Sequence, residues 1–156
     1  MAVKKILKFG NQRLVKKSEE VKKVNDEILS IVKDMKDTLY STTGIGIAAP
    51  QIGVLKRIVY IDLKRGEEPI LILNPKIVGK VGKAEGVEGC LSYPGYEGVV
   101  VRPQKVTVTG YNIDMKEVEY VAEGLLAKAF CHEIDHLDGI LYVDRAKEVY
   151  KIDDEE

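Results

Sequence analysis

Residues 132–136 read His132-Glu133-Ile134-Asp135-His136 and contain both histidines of the chain. On a helix this spacing places the two imidazoles one turn apart, with the carboxylate of Glu133 in the same sector. Two neutral imidazoles next to a carboxylate are the side chains that a catalytic metal site uses. The pattern therefore predicts a metal centre on a helix rather than a pair of packed histidines.

The helix that carries this motif is predicted to begin near residue 121 or 123 and to end at Asp138, with Gly139 as its C-terminal stop. Cys131 lies about 100° around the helix from His132, so we expect it to be a small buried filler rather than a ligand. An apolar stripe should seat the helix in the core: Leu126, Phe130, Ile134 and Leu137.

The rest of the chain predicts an α+β fold. Residues 25–41 indicate an N-terminal amphipathic helix, capped by Asn25 or Asp26, with an apolar stripe of Ile28, Ile31, Val32, Met35 and Leu39. The glycines and Pro50 of segment 44–53 predict an exposed turn without a regular element. Strands are predicted at 57–62, 70–74, 76–81 and 99–101, and a hairpin at 105–111 and 117–122. We expect antiparallel or mixed sheets packed around the late central helix.

The length indicates a single domain over residues 1–156, with about 148–156 as a loosely ordered acidic tail. The formal net charge of −1 favours neither nucleic acid nor an anionic membrane as partner. The chain has no apolar run of membrane-spanning length and no signal-like N-terminus. Two cysteines are too few for a disulfide framework, which favours a reducing cytoplasm where a thiol can act as a ligand.

Two histidines do not complete a catalytic metal site, which normally has three protein ligands and an open position. Tyr142, at the place where one protease class has its third ligand, is a poor donor. Cys90 is favoured, because Gly86 and Gly89 leave its backbone open and a thiolate binds soft divalent ions strongly. A downstream carboxylate, Asp144 or Glu148, stays open as the alternative.

Three segments together resemble the signature motifs of peptide deformylase, in order and at the family's spacing: GIGIAAPQ at 44–51, EGCLS at 88–92 and HEIDH at 132–136. The resemblance spans nearly the whole chain. It implies a hydrolase that removes the formyl group from the N-terminal formyl-methionine of nascent polypeptides and releases formate. It also implies one divalent metal ion, Fe(II) by preference, which Ni, Co or Zn can replace.

The resemblance assigns roles by position. It makes Cys90, His132 and His136 the metal ligands and Glu133 the general acid and base. It makes the Gln51 amide and the backbone N–H of Leu91 the donors to the developing oxyanion. Further positions follow for the substrate: Ile45, Gly46 and Gly89 pair with an extended peptide, while Leu125 and Ala129, with Ile45 and the face of His132, form the methionine pocket.

Other positions support or depart from this pattern. Glu88 and Arg102 are expected to hold the Cys90 loop from behind. Lys128, where an apolar residue is usual, is expected at the pocket rim, and Cys131 replaces a usual Gln with little expected effect. The Gly-rich stretch 95–98 has no assigned role. The expected partner is the formyl-Met segment of a nascent chain, met at the ribosome by a monomeric enzyme.

Two alternatives of other classes stay open. A metalloprotease would use Asp144 or Glu148 as its third ligand and would have no use for Gln51 or Cys90. A non-enzymatic binding module stabilised by metal would need four protein ligands and no adjacent base. The identity of the third metal ligand therefore distinguishes a deformylase from a metalloprotease or a binding module.

Overall fold

The computed structural model describes residues 2–152 and confirms the α+β class. The helices are α1 (Asp26–Tyr40), α2 (Gly124–Leu137) and the short α3 (Tyr142–Arg145). The strands are β1 (Gly46–Ala48), β2 (Ile58–Ile61), β3 (Ile70–Val81), β4 (Ala84–Cys90), β5 (Tyr93–Arg102), β6 (Lys105–Tyr111), β7 (Glu117–Glu123) and β8 (Glu148–Lys151). They form two antiparallel sheets, one of order β1-β2-β3-β6-β7 and one of order β4-β5-β8. Within residues 2–152 no helix is long and apolar enough to cross a membrane.

Helix α2 packs on one face of the five-stranded sheet, as its apolar stripe predicts. Phe130, Ile134 and Leu137 are buried and Leu126 is half-buried in a cluster with β2, β3 and β6. Cys131 is buried in the same cluster, in agreement with its expected role as a filler. The helix ends one residue before its predicted end, and Gly139 follows at a φ of 75°, a left-handed conformation that favours glycine.

Helix α1 covers the opposite face of that sheet. The side chain of Asn25 accepts a hydrogen bond from the N–H of Ile28, which is the predicted N-cap. All five residues of the predicted stripe are buried, against β1, β2 and β3 through Ile47, Ile58 and Leu73. The large sheet is therefore enclosed by α1 and α2.

The prediction of an exposed, irregular segment at 44–53 is wrong. Residues 46–48 form β1, which pairs with β2, and residues 49–52 form a 3-10 helix, with residues 46–51 all buried. The physical reason is the small side chains, which allow the strand to approach α2 closely. A Cβ atom on Gly46 would lie 2.8 Å from Oε2 of Glu133.

Strand prediction was incomplete in the middle of the chain. Predicted strands 70–74 and 76–81 are one strand, β3, in which Asn74 adopts a φ of 53° and the register shifts between Leu73 and Lys76. The strand predicted at 99–101 is the end of the longer β5, and β4 was missed. Glycines and charges dilute the alternation of both strands, because they form the half-exposed sheet that borders a cleft.

The predicted loose tail from about residue 148 is also wrong for its first part. Residues 148–151 form β8, which pairs with β5 from Tyr96 to Val99. Backbone pairing holds this strand although all four of its side chains are exposed, which is why the composition gave no signal. The remaining acidic residues, 153–156, lie outside the described residues.

We predict that Gly139→Ala destabilises the protein by about 2–5 kcal/mol, because an alanine there is strained by the left-handed backbone and meets a neighbouring chain segment. Its Cβ would lie 2.5 Å from the carbonyl oxygen of Val15. Gly124→Ala is the matched control, with a φ of 61° and no atom within 4 Å of the added Cβ. Urea unfolding of the metal-free protein should show a loss of only about 1–2 kcal/mol for the control. Equal losses for the two variants would contradict the packing of Val15 against the end of α2.

Candidate active site

Cys90 and the two histidines meet at one point between the sheets. Cys90 is the last residue of β4, whereas His132 and His136 lie one turn apart on α2. One ligand atom from each of the three residues lies within 4.8 Å of the others, and Cys90 Sγ is 3.3 Å from His136 Nε2. Among residues 2–152 this is the only such group of three or more His, Cys, Asp or Glu residues.

The two carboxylates considered as alternative ligands lie elsewhere. Asp144 Oδ2 accepts a hydrogen bond from the N–H of Leu141 at 2.9 Å and so caps α3. Glu148 belongs to β8 and is exposed. Neither joins the group formed by Cys90 and the histidines within the described part of the chain. The arrangement therefore offers no support for the metalloprotease alternative.

Gln51 is held beside the thiol by its own backbone neighbourhood. It lies in the 3-10 helix after β1, almost fully buried, and its Oε1 accepts from the N–H of Ala48 at 3.0 Å. That contact aims the amide nitrogen at Cys90 Sγ, 3.7 Å away, and at Ser92 Oγ, 3.2 Å away. Leu91 follows Cys90 at the turn out of β4 and borders the same cleft.

Glu133 is buried next to the two histidines. Its Oε1 has no hydrogen-bond partner among the described residues, and its other oxygen faces the backbone of Gly46. Burial raises the pKa of Glu133 to about 7, against an opposing effect of His132. A carboxylate of this kind can take and return a proton near neutral pH, which is the property of a general acid and base.

Glu88 and Arg102, which were predicted to hold the Cys90 loop, contact each other, and Glu88 also contacts His132. Glu88 Oε1 lies 2.9 Å from His132 Nδ1, and Arg102 contacts the Glu88 carboxylate through two nitrogens, at 2.8 and 2.9 Å. Although burial raises it, the hydrogen bonds from Arg102 and His132 lower the pKa of Glu88 to about 2. An ionised Glu88 fixes the Nδ1–H tautomer of His132, which leaves its Nε2 lone pair for a metal.

The two imidazoles have opposite proton affinities. Burial, with the charges of His132 and Arg102, lowers the pKa of His136 well below its usual value, so this ring is neutral. Burial also lowers the pKa of His132, but its hydrogen bonds with Cys90 and Glu88 outweigh that effect and raise the pKa well above the usual value. A proton would therefore compete with any metal ion that binds at His132.

A cleft of about 370 Å³ opens over this centre. It lies between the β1 end of the large sheet and the β4–β5 hairpin of the small sheet. All five predicted substrate positions line it: Ile45, Gly46, Gly89, Leu125 and Ala129. Lys128 lies at its rim, where the ammonium donates to the carbonyl of Val87 at 2.9 Å.

Sequence reasoning missed several residues around the centre. Tyr93, Tyr96 and Ile152 line the cleft, and the two tyrosine rings stack at 4.4 Å between centroids. Tyr142, rejected as a ligand, stacks on the His132 ring at 6.1 Å. The stretch 95–98, which had no assigned role, contributes Gly95, Tyr96 and Glu97 to the lining of the cleft. A correct assignment of β5 as a long strand could have indicated Tyr93 and Tyr96, whereas Tyr142 and Ile152 reach the centre only through the fold.

The donor set fits one divalent metal ion. It combines a thiol with two imidazoles, three donors of the kind that zinc or iron(II) accepts. Among the described residues, the buried Oε1 of Glu133 has no partner and lies beside these three side chains, and Gln51 points an N–H donor at the same place. Within residues 2–152, no fourth His, Cys, Asp or Glu joins Cys90, His132 and His136. Three protein ligands are typical of a catalytic metal site, whereas a structural site has four.

The comparisons with known proteins agree with this geometry. A family model described as polypeptide deformylase matches residues 3–151. A peptide deformylase of Lachnoclostridium phytofermentans is 49% identical over 161 residues, covering 100% of this chain and 99% of the relative. One of Caldicellulosiruptor bescii is 52% identical over 145 residues, covering 93% of this chain and 86% of the relative.

Solved structures agree as well. The crystal structure of a peptide deformylase from Legionella pneumophila superposes with a TM-score of 0.90 at 44% identity, covering 94% of this chain and 87% of that one. The peptide deformylase from Thermotoga maritima gives a TM-score of 0.90 at 32% identity, covering 95% and 100% of the two chains. The chain belongs to the polypeptide deformylase family and is a hydrolase.

Proposed function

We propose that this deformylase hydrolyses the formyl amide of N-terminal formyl-methionine on nascent polypeptides and releases formate, using one divalent metal held by Cys90, His132 and His136. The observation that carries the proposal is the convergence of a three-ligand group, a buried carboxylate and an amide donor at the floor of one cleft. These are the groups that hydrolysis of an amide requires: a ligand set, a proton carrier and an oxyanion donor.

The metal, when bound, supplies Lewis acidity and brings the pKa of a coordinated water toward neutrality. The chain determines which ion is suited to that task. One thiolate and two neutral imidazoles lower the net charge of the centre compared with three imidazoles, which favours Fe(II). Ni, Co or Zn can occupy the same donors.

Glu133 carries the proton. Its carboxylate lies one residue from the ligand His132 and faces the backbone of Gly46, so it is positioned beside the reacting group. It accepts the proton of the attacking water and then gives it to the departing amine of the methionine residue. Because the side chain is buried, bulk solvent does not compete for this proton.

Gln51 and Leu91 stabilise the negative charge that develops on the formyl oxygen. The bond from the Ala48 N–H to Gln51 Oε1 leaves the amide hydrogens facing the Cys90 side of the cleft. The backbone N–H of Leu91, next to the ligand Cys90, is the second donor. A preorganised pair of donors of this kind acts without reorientation during the reaction.

The substrate binds as an extended strand in the cleft. We assign its backbone contacts to Ile45, Gly46 and Gly89, which lie on the two facing strand ends that border the cleft. Leu125 and Ala129, with the ring of His132, form the pocket for the methionine side chain. The proposal is for a monomer that acts on nascent chains as they leave the ribosome.

The decisive experiment is formate release from a formyl-Met peptide by protein purified without oxygen, with an acetyl-Met peptide as control substrate. Stoichiometric formate and a free amine are expected from the formyl peptide and no reaction from the acetyl peptide. Cleavage of an internal peptide bond, or no hydrolysis by metal-loaded protein, would contradict the proposal.

The ligand assignment predicts that Cys90→Ser loses most of its metal. Protein purified without oxygen should contain about one iron per chain, since three protein ligands form one site. Asp144→Asn and Glu148→Gln are the controls and should keep that metal, because both residues lie outside the group. Elemental analysis of the four proteins measures this. Full occupancy in the Cys90 variant would remove Cys90 from the ligand set.

Replacing Glu133 should separate metal binding from catalysis. Glu133→Gln keeps the size of the side chain but cannot accept a proton, so metal content should stay while turnover falls by about two to four orders of magnitude. Steady-state kinetics of the metal-loaded variant, together with elemental analysis, provide the test. Turnover near that of the wild type would show that another group moves the proton.

Replacing Gln51 by Leu should remove the oxyanion donor without adding a group that can donate or ionise. We expect kcat to fall by about two to three orders of magnitude, with a smaller effect on KM. Because the Ala48 N–H also loses its acceptor, unfolding measurements check that the variant stays folded under the assay conditions. An effect confined to KM would limit Gln51 to substrate binding.

A further inference from the structure

Asp135, between the two histidines of α2, is held by two arginines from different parts of the chain. Its Oδ2 accepts from Arg102 Nη1 at 2.7 Å and from Arg145 Nε at 2.7 Å, and its Oδ1 accepts from Arg145 Nη2 at 3.1 Å. Arg102 is buried, whereas the Arg145 side chain is 46% exposed. The deformylase motifs do not include Arg145, which lies on α3.

These contacts continue without a break to a metal ligand. Arg145 contacts Asp135, Asp135 contacts Arg102, Arg102 contacts Glu88, and Glu88 contacts Nδ1 of His132. The chain of contacts has two carboxylates and two guanidinium groups, so with His132 neutral, as it is when it binds a metal, the charges balance only when Arg145 is included. Without Arg145, two buried carboxylates would share the single charge of Arg102.

Within this series of contacts, Arg102 is the side chain that can shift when Arg145 is lost. It already divides its donors between Glu88 and Asp135, and each carboxylate draws it in a different direction. When Arg145 neutralises Asp135, Arg102 keeps both of its contacts with Glu88. Loss of Arg145 would draw Arg102 toward Asp135 and loosen the carboxylate that orients the His132 ring.

Helix α3, which carries Arg145, also contacts the His132 ring directly. Tyr142, at the start of α3, stacks on His132 with 26° between the ring planes, and Arg145 ends that four-residue helix. The two contacts of Arg145 with Asp135 anchor α3 on α2. They therefore support the tyrosine that limits rotation of the imidazole.

We infer that Arg145 is a positioning residue of the metal centre, which acts through Asp135, Arg102 and Glu88 on the orientation of His132. The inference rests on the proposed function, because it takes His132 as a metal ligand. It assigns to the C-terminal segment of this chain a part in metal retention, beyond its pairing with β5.

The test compares Arg145→Met with Lys147→Met. Lys147 lies on the same segment and pairs through its side chain with the exposed Glu85, apart from the buried chain of contacts. Zinc-loaded proteins are challenged with a chelator to measure the rate of metal release. We expect Arg145→Met to release zinc about five- to thirtyfold faster than the wild type, since loss of outer-shell support weakens metal affinity by about 10- to 100-fold. Lys147→Met should stay within about twofold.

An NMR measurement reports directly on the His132 ring. The chain has two histidines, so the spectrum of a zinc protein labelled with 15N-histidine contains only two imidazoles. The Nδ1 signal of His132 should move in Arg145→Met and stay in Lys147→Met. Arg145→Lys, which keeps the charge without the two-nitrogen contact, should lie between wild type and Arg145→Met, and it provides the test if Arg145→Met does not fold.

The outcomes separate this inference from the proposed function. If Arg145→Met releases zinc at the rate of Lys147→Met and leaves the His132 signal unchanged, Arg145 has only a structural role and the inference is wrong. That conclusion holds even if the variant is less stable. If the wild type binds no metal, the proposed function fails first and the inference with it.

Discussion

The side chain of Arg102 lies buried where the small sheet meets α2, and it contacts carboxylates from both. Its partners are Glu88 on β4 and Asp135 on α2, while Arg102 itself ends β5. Breaking such a buried pair from one side costs about 3–5 kcal/mol, because the remaining charge has no water to solvate it. The small sheet, which contributes Cys90, is thereby held to the helix that contributes both histidines. The proposed metal centre depends on this contact, although Arg102 is not one of its three candidate ligands.

Helix α2 meets two opposed demands. It is the core helix of the fold, yet Glu133, Asp135 and His136 are buried on it together with its apolar residues. Each polar side chain therefore needs a neighbour that fits closely. Asp135 has its arginines, while Glu133 faces β1, which has no side chain at Gly46. The small residues of β1 thus serve both the packing of α2 and the opening of the cleft.

Helices and strands with a clear hydrophobic periodicity could be predicted from the sequence. Strands that are held mainly by backbone pairing could not. Periodicity located α1 and the hairpin of β6 and β7 within one residue of their observed bounds, and α2 within three, since residues 121–123 still belong to β7. The motifs and their spacing predicted that Cys90 lies beside the histidines, as it does. The geometry of α2 alone could not predict this. Strands β4 and β8 are held by backbone pairing and carry exposed or glycine positions, so neither shows an apolar alternation. The contact of Arg145 with Asp135 joins two segments that no motif links, so only the fold reveals it.

The buried polar groups of the centre are satisfied unevenly. Asp135 and Glu88 have their oxygens engaged by arginines, whereas Glu133 Oε1 and His136 Nδ1 are buried without a partner in the described part of the chain. An unpaired buried polar group costs about 1–3 kcal/mol. The network around Arg102 fixes the geometry that keeps these groups in place. Stability is thus concentrated one layer behind the reacting groups, which leaves Glu133 available to exchange protons with a substrate in the cleft.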